Sequence, residues 1–228
     1  MGVRFRPASD QSLLIYFGQR ITLEAHRRVV KLLRLLESEP IEGIRNLHPA
    51  YCSLLVKFDA LSLGHEELES SLRSYLDRLE DVRLADPRQV EIPVCYGGEF
   101  GPDLKDVAAL HGMTPDQVID LYASTTYVVY FLGFVPGFAY LGGLPEALAT
   151  PRLPAPRKKV PAGSIGIAGN QTGVYPFSTP GGWRLIGRTP LGMFRPDRKN
   201  MSLLSIGDRV RFPPVSEARF AALERACE

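Results

Sequence analysis

The sequence predicts an α+β protein of two domains, a ferredoxin-like βαββαβ layer over residues 1–91 and a mainly β, barrel-forming domain over residues 92–228. Three observations predict it. A chain of 228 residues with 45% hydrophobic content is long for one domain and carries apolar material for two cores. Up to about Cys95, apolar runs of period two alternate with runs repeating every three or four residues. After Tyr96 the chain turns to short β-rich pieces punctuated by glycine and proline.

In the first domain, Leu13 to Phe17, apolar up to Gly18, reads as a strand. Thr22 can cap a helix in which Ala25, Val29, Leu32, Leu33 and Leu36 make one apolar face, and Pro40 ends it. Ile44 to Leu47 and Leu54 to Phe58 form a hairpin interrupted at His48, Pro49 and Ala50. Leu68, Leu72, Leu76 and Leu79 mark a second helix. Gln89 to Cys95, with Val90, Ile92 and Val94 alternating, supplies the last strand. Two helices then cover one face of an antiparallel sheet, an arrangement that implies no chemistry.

The second domain opens on the loop Tyr96-Gly97-Gly98-Glu99-Phe100-Gly101-Pro102, after which Asp103 can cap a short helix. Thr114-Pro115-Asp116-Gln117 is a capping box with proline at the first helical position, starting a helix that runs to about Ala123. Tyr127 to Leu132, Ser164 to Ala168, Trp183 to Gly187 and Arg209 to Phe212 are strand-like, a rhythm that suits a closed or nearly closed barrel. Thr150 to Pro161, rich in proline and basic residues, reads as a long surface loop.

Composition excludes several functions. The 27 basic and 25 acidic residues leave a charge of +2, too balanced for a nucleic-acid partner. No secretory signal opens the chain and no apolar run approaches the roughly 18 residues of a membrane span, so a cytoplasmic protein is expected. Cys52, Cys95 and Cys227 lack paired spacing and read as reduced thiols, and His26, His48, His65 and His111 offer no metal pair. Neither a dinucleotide fingerprint nor a phosphate loop ending in Gly-Lys-Ser or Gly-Lys-Thr occurs.

Three segments carry candidate binding groups. In Leu132 to Gly143 the aromatics Phe134, Phe138 and Tyr140 stand among turn-forming residues, suiting either a pocket for a flat ligand or a packed barrel corner. In Gly163 to Pro176, Asn170, Gln171, Thr172 and Tyr175 are hydrogen-bonding candidates; Asn170 or Gln171 could take a lactam's carbonyl and N–H while glycine-flanked amides hold an anion, or the segment is a polar hairpin. In Ser178 to Pro190, Trp183 offers a plane and Arg188, preferred over Arg184, a fork for a carboxylate or phosphate; packing and surface roles are the alternatives. Arg152, Arg157, Lys158 and Lys159 form a basic loop that could steer an anionic substrate or dock a partner, with a solvated surface as the plainer reading. No nucleophile or catalytic base stands out.

Together with Tyr96-Gly97-Gly98, Val160-Pro161-Ala162-Gly163-Ser164 and Ile206-Gly207-Asp208-Arg209-Val210, the runs Gly133 to Phe138, Gln171 to Pro176 and Pro180 to Trp183 closely resemble the B-type subunit family of bacterial 5-oxoprolinase, whose members also go by KipI-like and allophanate hydrolase subunit 1 names. The resemblance implies that the second domain is a cyclophilin-like β-barrel without prolyl isomerase activity. It further implies a subunit, inactive alone, of an ATP-dependent enzyme that opens 5-oxoproline to glutamate. The implied partners are a subunit-C-like barrel protein and a subunit-A-like protein, with ATP and its Mg as co-substrate and no tightly bound cofactor. The KipI-like name implies another reading, an inhibitor of a sensor histidine kinase, and the resemblance of related barrel pairs to those of biotin-dependent urea carboxylase a third, a carboxytransferase-like component of a biotin-dependent system. No Met-Lys-Met biotin attachment motif occurs. The chain departs from the family at Tyr122, where histidine often follows the leucine, and at Asn170, where a smaller residue is common.

Overall fold

The computed structural model describes residues 2–227, without the side chain of Cys227. Internal contacts divide the chain into two units, Met1–Asp86 and Pro87–Glu228.

The first unit contains β1 (Arg4–Ser9), β2 (Ser12–Tyr16), α1 (Leu23–Ser38), β3 (Ile44–Pro49), β4 (Ser53–Phe58) and α2 (His65–Asp77). Its four strands lie in the order β1-β2-β4-β3, antiparallel throughout. Alternation turns Leu13 and Ile15 of β2, and Leu54, Val56 and Phe58 of β4, into the core. α1 packs on β3 and β4 through the expected stripe of Ala25, Val29, Leu32, Leu33 and Leu36, and Thr22 Oγ1 accepts the Ala25 amide at 3.1 Å. α2 buries Leu68 and Leu72, while Leu79 is buried from a separate 3-10 turn.

The βαββαβ order expected for this unit is corrected to ββαββα. β1 takes the edge place beside β2 that Gln89 to Cys95 was expected to fill. Its sequence shows no alternation because nearly all of its residues face solvent, and Pro7 is tolerated there as at other sheet edges. Residues 89–91 instead pair with the last strand of the second unit.

The second unit contains β5 (Gln89–Glu91), β6 (Cys95–Tyr96), α3 (Leu104–Leu110), α4 (Pro115–Ser124), β7 (Tyr127–Leu132), β8 (Ala139–Gly142), β9 (Arg157–Val160), β10 (Ser164–Ala168), β11 (Gln171–Val174), β12 (Thr179–Gly181), β13 (Arg184–Arg188), β14 (Arg209–Arg211) and α5 (Glu217–Cys227). Eight strands form one sheet in the order β5-β14-β7-β8-β11-β10-β13-β6, and β9 pairs with β12 as a separate ribbon. The two edge strands β5 and β6 are consecutive in the chain, separated only by Ile92, Pro93 and Val94. Four Cα steps reach at most about 14 Å. The sheet therefore curls until its edges approach, giving a half-barrel whose concave side holds Ile92, Val94, Val129, Leu141, Ile165, Ile167, Val174, Ile186 and Phe212.

Local expectations in this unit partly hold and partly change. The capping box of α4 forms, with Gln117 N donating to Thr114 Oγ1 at 3.2 Å and Thr114 N to Gln117 Oε1 at 2.8 Å. Asp103 precedes α3 but caps nothing, because its carboxylate is turned to β13 and β9. Residues 157–160 of the expected surface loop are β9, held by β12. α5, absent from the sequence pattern, buries Phe220 against Phe100, 4.7 Å between ring centroids. Arg88, just before β5, forks onto the buried carboxylate of Asp208, which also accepts the Ser205 amide at 2.7 Å. Among the described residues no helix is long and apolar enough to cross a membrane.

Tyr96, Tyr122 and Tyr127 converge in the concave core, where burial pushes all three phenols well above their ordinary range. The folded chain holds these protons more tightly than the unfolded one, whose phenols ionise near pH 10. Their stabilisation is thus complete below about pH 10 and is lost as pH rises further. In an alkaline titration the less enclosed tyrosines should ionise first. The buried ones should follow in one step together with unfolding, read by the fluorescence of Trp183, the single tryptophan. Ionisation of all nine tyrosines near pH 10 with fluorescence unchanged would contradict this packing.

Candidate functional site

Period-two alternation gives β8, β10, β11 and β13 two working faces. Ala139, Leu141, Ile165, Ile167, Val174 and Ile186 point into the concave core, while Phe138, Tyr140, Ala168, Tyr175, Trp183 and Leu185 gather on the other side. Thr172, expected beside Tyr175, falls on the inner face. Its hydroxyl donates to the Gly166 carbonyl at 2.9 Å, so at its 2.7 Å contact with Tyr122 the tyrosine is the donor. Thr172 and Tyr122 are buried parts of the core, away from the outer aromatic groups.

Phe138 is the hub of the outer cluster. Its ring meets Tyr140, Tyr175 and Trp183 at centroid distances of 4.9, 5.3 and 5.5 Å, in the edge-on geometry that ring quadrupoles favour. Val160 of β9 joins from the ribbon side. Two glycines make room: a Cβ on Gly173 would sit 2.8 Å from the Ala139 carbonyl oxygen, and one on Gly181 would sit 2.5 Å from the Tyr175 hydroxyl. Burial holds the Tyr175 phenol up at about 12, against the opposing pull of the Trp183 backbone bond and the Arg152 charge. At neutral pH Tyr175 is therefore an uncharged hydroxyl.

The cluster opens to solvent at Phe134. This residue is 63% exposed, has φ of 72°, and touches Phe138 edge-on at 5.6 Å. It is the one non-glycine residue of positive φ among those described, a conformation that costs on the order of 1–3 kcal/mol. Tyr140, behind it, is stacked on Phe131 at 4.5 Å and 16°.

The remaining candidates separate. Ala168 pairs with Gln171, so Gly169 and Asn170 form the hairpin turn and Asn170 is exposed. Gln171, half-buried, shares a strand face with Tyr175. Arg188 lies apart from the cluster, its guanidinium 4.8 Å from the Phe100 ring and 5.2 Å from the Phe220 ring, where it braces α5. Arg184 reaches Asp106 at 3.5 Å.

Two residues of the basic loop are more than solvated surface. Arg157 pairs with Asp103 at 2.6 Å and approaches the Trp183 carbonyl at 3.5 Å, and the other Asp103 oxygen accepts the Leu185 amide at 2.7 Å. Arg152 lies 6.0 Å from the centroid of the Trp183 ring. His111 bonds Thr150 at 2.9 Å, and Thr150 exchanges backbone bonds with Gly169 at the turn. No sequence signal links these partners, since each pair is joined only by the fold. Among the described residues no cluster of His, Cys, Asp or Glu forms a metal site.

Comparison with known proteins gives the site a context. Residues 3–204 match the family model described as carboxyltransferase domain, subdomain C and D. The chain is 42% identical to the B-type subunit of 5-oxoprolinase from Bacillus subtilis (strain 168), covering 97% of this chain and 98% of that protein. It is 46% identical to the B-type subunit of 5-oxoprolinase from Escherichia coli O157:H7, covering 91% and 94%. This chain belongs to the B-type subunit family of 5-oxoprolinase. The crystal structure of TTHA0988 is similar to it at a TM-score of 0.79 and 37% identity over 90% of this chain, which spans 40% of that one. Urea amidolyase of Kluyveromyces lactis shares the fold at a TM-score of 0.79 and 20% identity, over 99% of this chain and 15% of that one. The two positions expected to depart from the family pattern have a physical reading in the fold. Tyr122 is enclosed in the core and bonded to Thr172, and Asn170 lies exposed in a turn.

Two substitutions test the construction of the site. Asp103→Ala strands the Leu185 amide and Arg157, and should cost about 3 kcal/mol in urea unfolding followed by Trp183 fluorescence. Phe134→Gly removes the strain and should leave stability within about 1 kcal/mol of the parent, where burial of the ring would have predicted a far larger loss.

Proposed function

We propose that this chain is the B-type subunit of an ATP-dependent 5-oxoprolinase, and that the outer aromatic cluster is its contribution to holding the substrate. The single observation that carries the reading is the match to the Bacillus subtilis B-type subunit along nearly the whole of both chains. We read the second unit as a cyclophilin-like barrel and the first as a ferredoxin-like layer whose edge strand enters from the N-terminus.

The substrate named by these relatives is a lactam, whose resonance makes its carbonyl a poor electrophile. Transfer of a phosphoryl group from ATP to the lactam oxygen supplies the missing leaving group. The residues around the cluster do not fit Mg-ATP, because the neighbouring carboxylates are engaged, Asp103 by Arg157 and Asp106 by Arg184. That chemistry belongs to the assembled enzyme with its subunit-C-like and subunit-A-like partners.

What this chain supplies is recognition. A flat five-membered ring fits against the planes of Phe134, Tyr140 and Trp183, and Gln171, on the Tyr175 side of β11, can pair the lactam's N–H and carbonyl at once. The exposed, strained Phe134 supports the same reading, since strain of this kind persists where a ligand or partner surface needs the side chain held out.

The test is reconstitution. Purified alone, the chain should show no 5-oxoproline-dependent ATP hydrolysis, and it should gain that activity when mixed with subunit-C-like and subunit-A-like proteins. Turnover by the chain alone would refute the divided enzyme, and an inert mixture would refute the family role.

A further inference from the structure

The arginines nearest the aromatic cluster divide into engaged and free. Arg157 holds Asp103, Arg184 reaches Asp106 and the Pro151 carbonyl, and Arg188 lies between Phe100 and Phe220. Arg152 differs. It is exposed, and among the described residues neither a carboxylate nor a carbonyl pairs with it. Its contact is the Trp183 ring at 6.0 Å, and its charge also acts on the phenols of Tyr140 and Tyr175.

The position of Arg152 is fixed from both sides. Before it, Thr150 N donates to the Gly169 carbonyl at 3.1 Å and Gly169 N to the Thr150 carbonyl at 2.7 Å. After it, Leu153 N donates to the Gly182 carbonyl at 2.8 Å, next to Trp183 itself. Pro151 and Pro154 restrict the backbone between and beyond these anchors. A guanidinium resting against a ring leaves its N–H edge available, and that edge matches the two oxygens of a carboxylate. Because the loop is already ordered, little freedom is lost when the anion arrives.

We propose that Arg152 is the residue that takes the carboxylate of a small cyclic amide acid, orienting its ring against Trp183 and Tyr140. The assignment rests on the subunit reading above and adds the group that distinguishes an acid from its neutral analogue. It also makes the basic loop part of the site, where the sequence alone leaves it between steering an anion, docking a partner and a solvated surface.

The experiment compares Arg152→Ala and Arg152→Lys in the reconstituted assembly, with 5-oxoproline and with its neutral carboxamide, by steady-state ATP hydrolysis. Arg152→Ala should raise the KM for 5-oxoproline about 10- to 100-fold, the loss expected for a charge-assisted bidentate contact. kcat should stay within about twofold, and the preference for the acid over the amide should collapse in parallel. Arg152→Lys, which keeps charge without the fork, should recover part of the preference. Trp183 fluorescence reports whether each variant is folded. An unchanged KM, an equal effect on acid and amide, or loss of assembly by gel filtration would overturn the assignment while leaving the subunit reading intact. A wild-type assembly with no response to 5-oxoproline would instead remove the subunit reading, and this inference with it.

Discussion

One buried carboxylate holds the working face together. Asp103 takes the Leu185 amide with one oxygen and the Arg157 guanidinium with the other, so the start of α3, the strand β13 and the strand β9 meet at a single side chain. The two strands carry part of the aromatic cluster: Trp183 and Leu185 adjoin or lie on β13, and Val160 ends β9. A charge so enclosed persists only with its partners in place, which is why the ion pair and the amide bond come as a set. The placement of the Trp183 ring thus depends on a carboxylate bonded to Arg157 and to the amide of Leu185, two residues along the chain.

The two faces of the curled sheet do different work. The concave side is closed by aliphatic residues and three tyrosines whose hydroxyls are all spoken for, Tyr96 by the Phe212 carbonyl, Tyr122 by Thr172 and Tyr127 by the Tyr122 carbonyl. The outer side collects rings in edge-on contact, with an exposed Phe134 and an arginine near them. The concave side of the half-barrel is thus filled, and the exposed ring of the outer cluster is Phe134.

Much of this was legible in the sequence where the signal is local. Thr22 and the Thr114-to-Gln117 box start their helices as read, and residues 127–132 and 164–168 are the strands β7 and β10. What escaped depends on distant partners. β1 is an exposed edge without alternation, and β5 has the pattern of a strand but finds its partner in β14. Asp103 has the sequence context of a cap, yet bonds an amide 82 positions away. At the site, the rings Phe134, Phe138, Tyr140, Tyr175 and Trp183 are brought together as a group. Thr172 is lost to the inner face because one step along a strand reverses its side, and Arg188 is drawn off by Phe220 of a helix the sequence pattern did not announce.

The joining of β5 to β14 also sets an order of events during synthesis. Every pairing in the first sheet lies between Arg4 and Phe58, so that layer can form while the remainder of the chain is still being made. The curled sheet has to wait, because Arg88 and Asp208 are 120 positions apart and β5 has no strand beside it until β14 has emerged. Closure through such distant contacts is slow. During that interval the apolar strands between them are without their final neighbours, and the newborn chain is at its most vulnerable to misassociation.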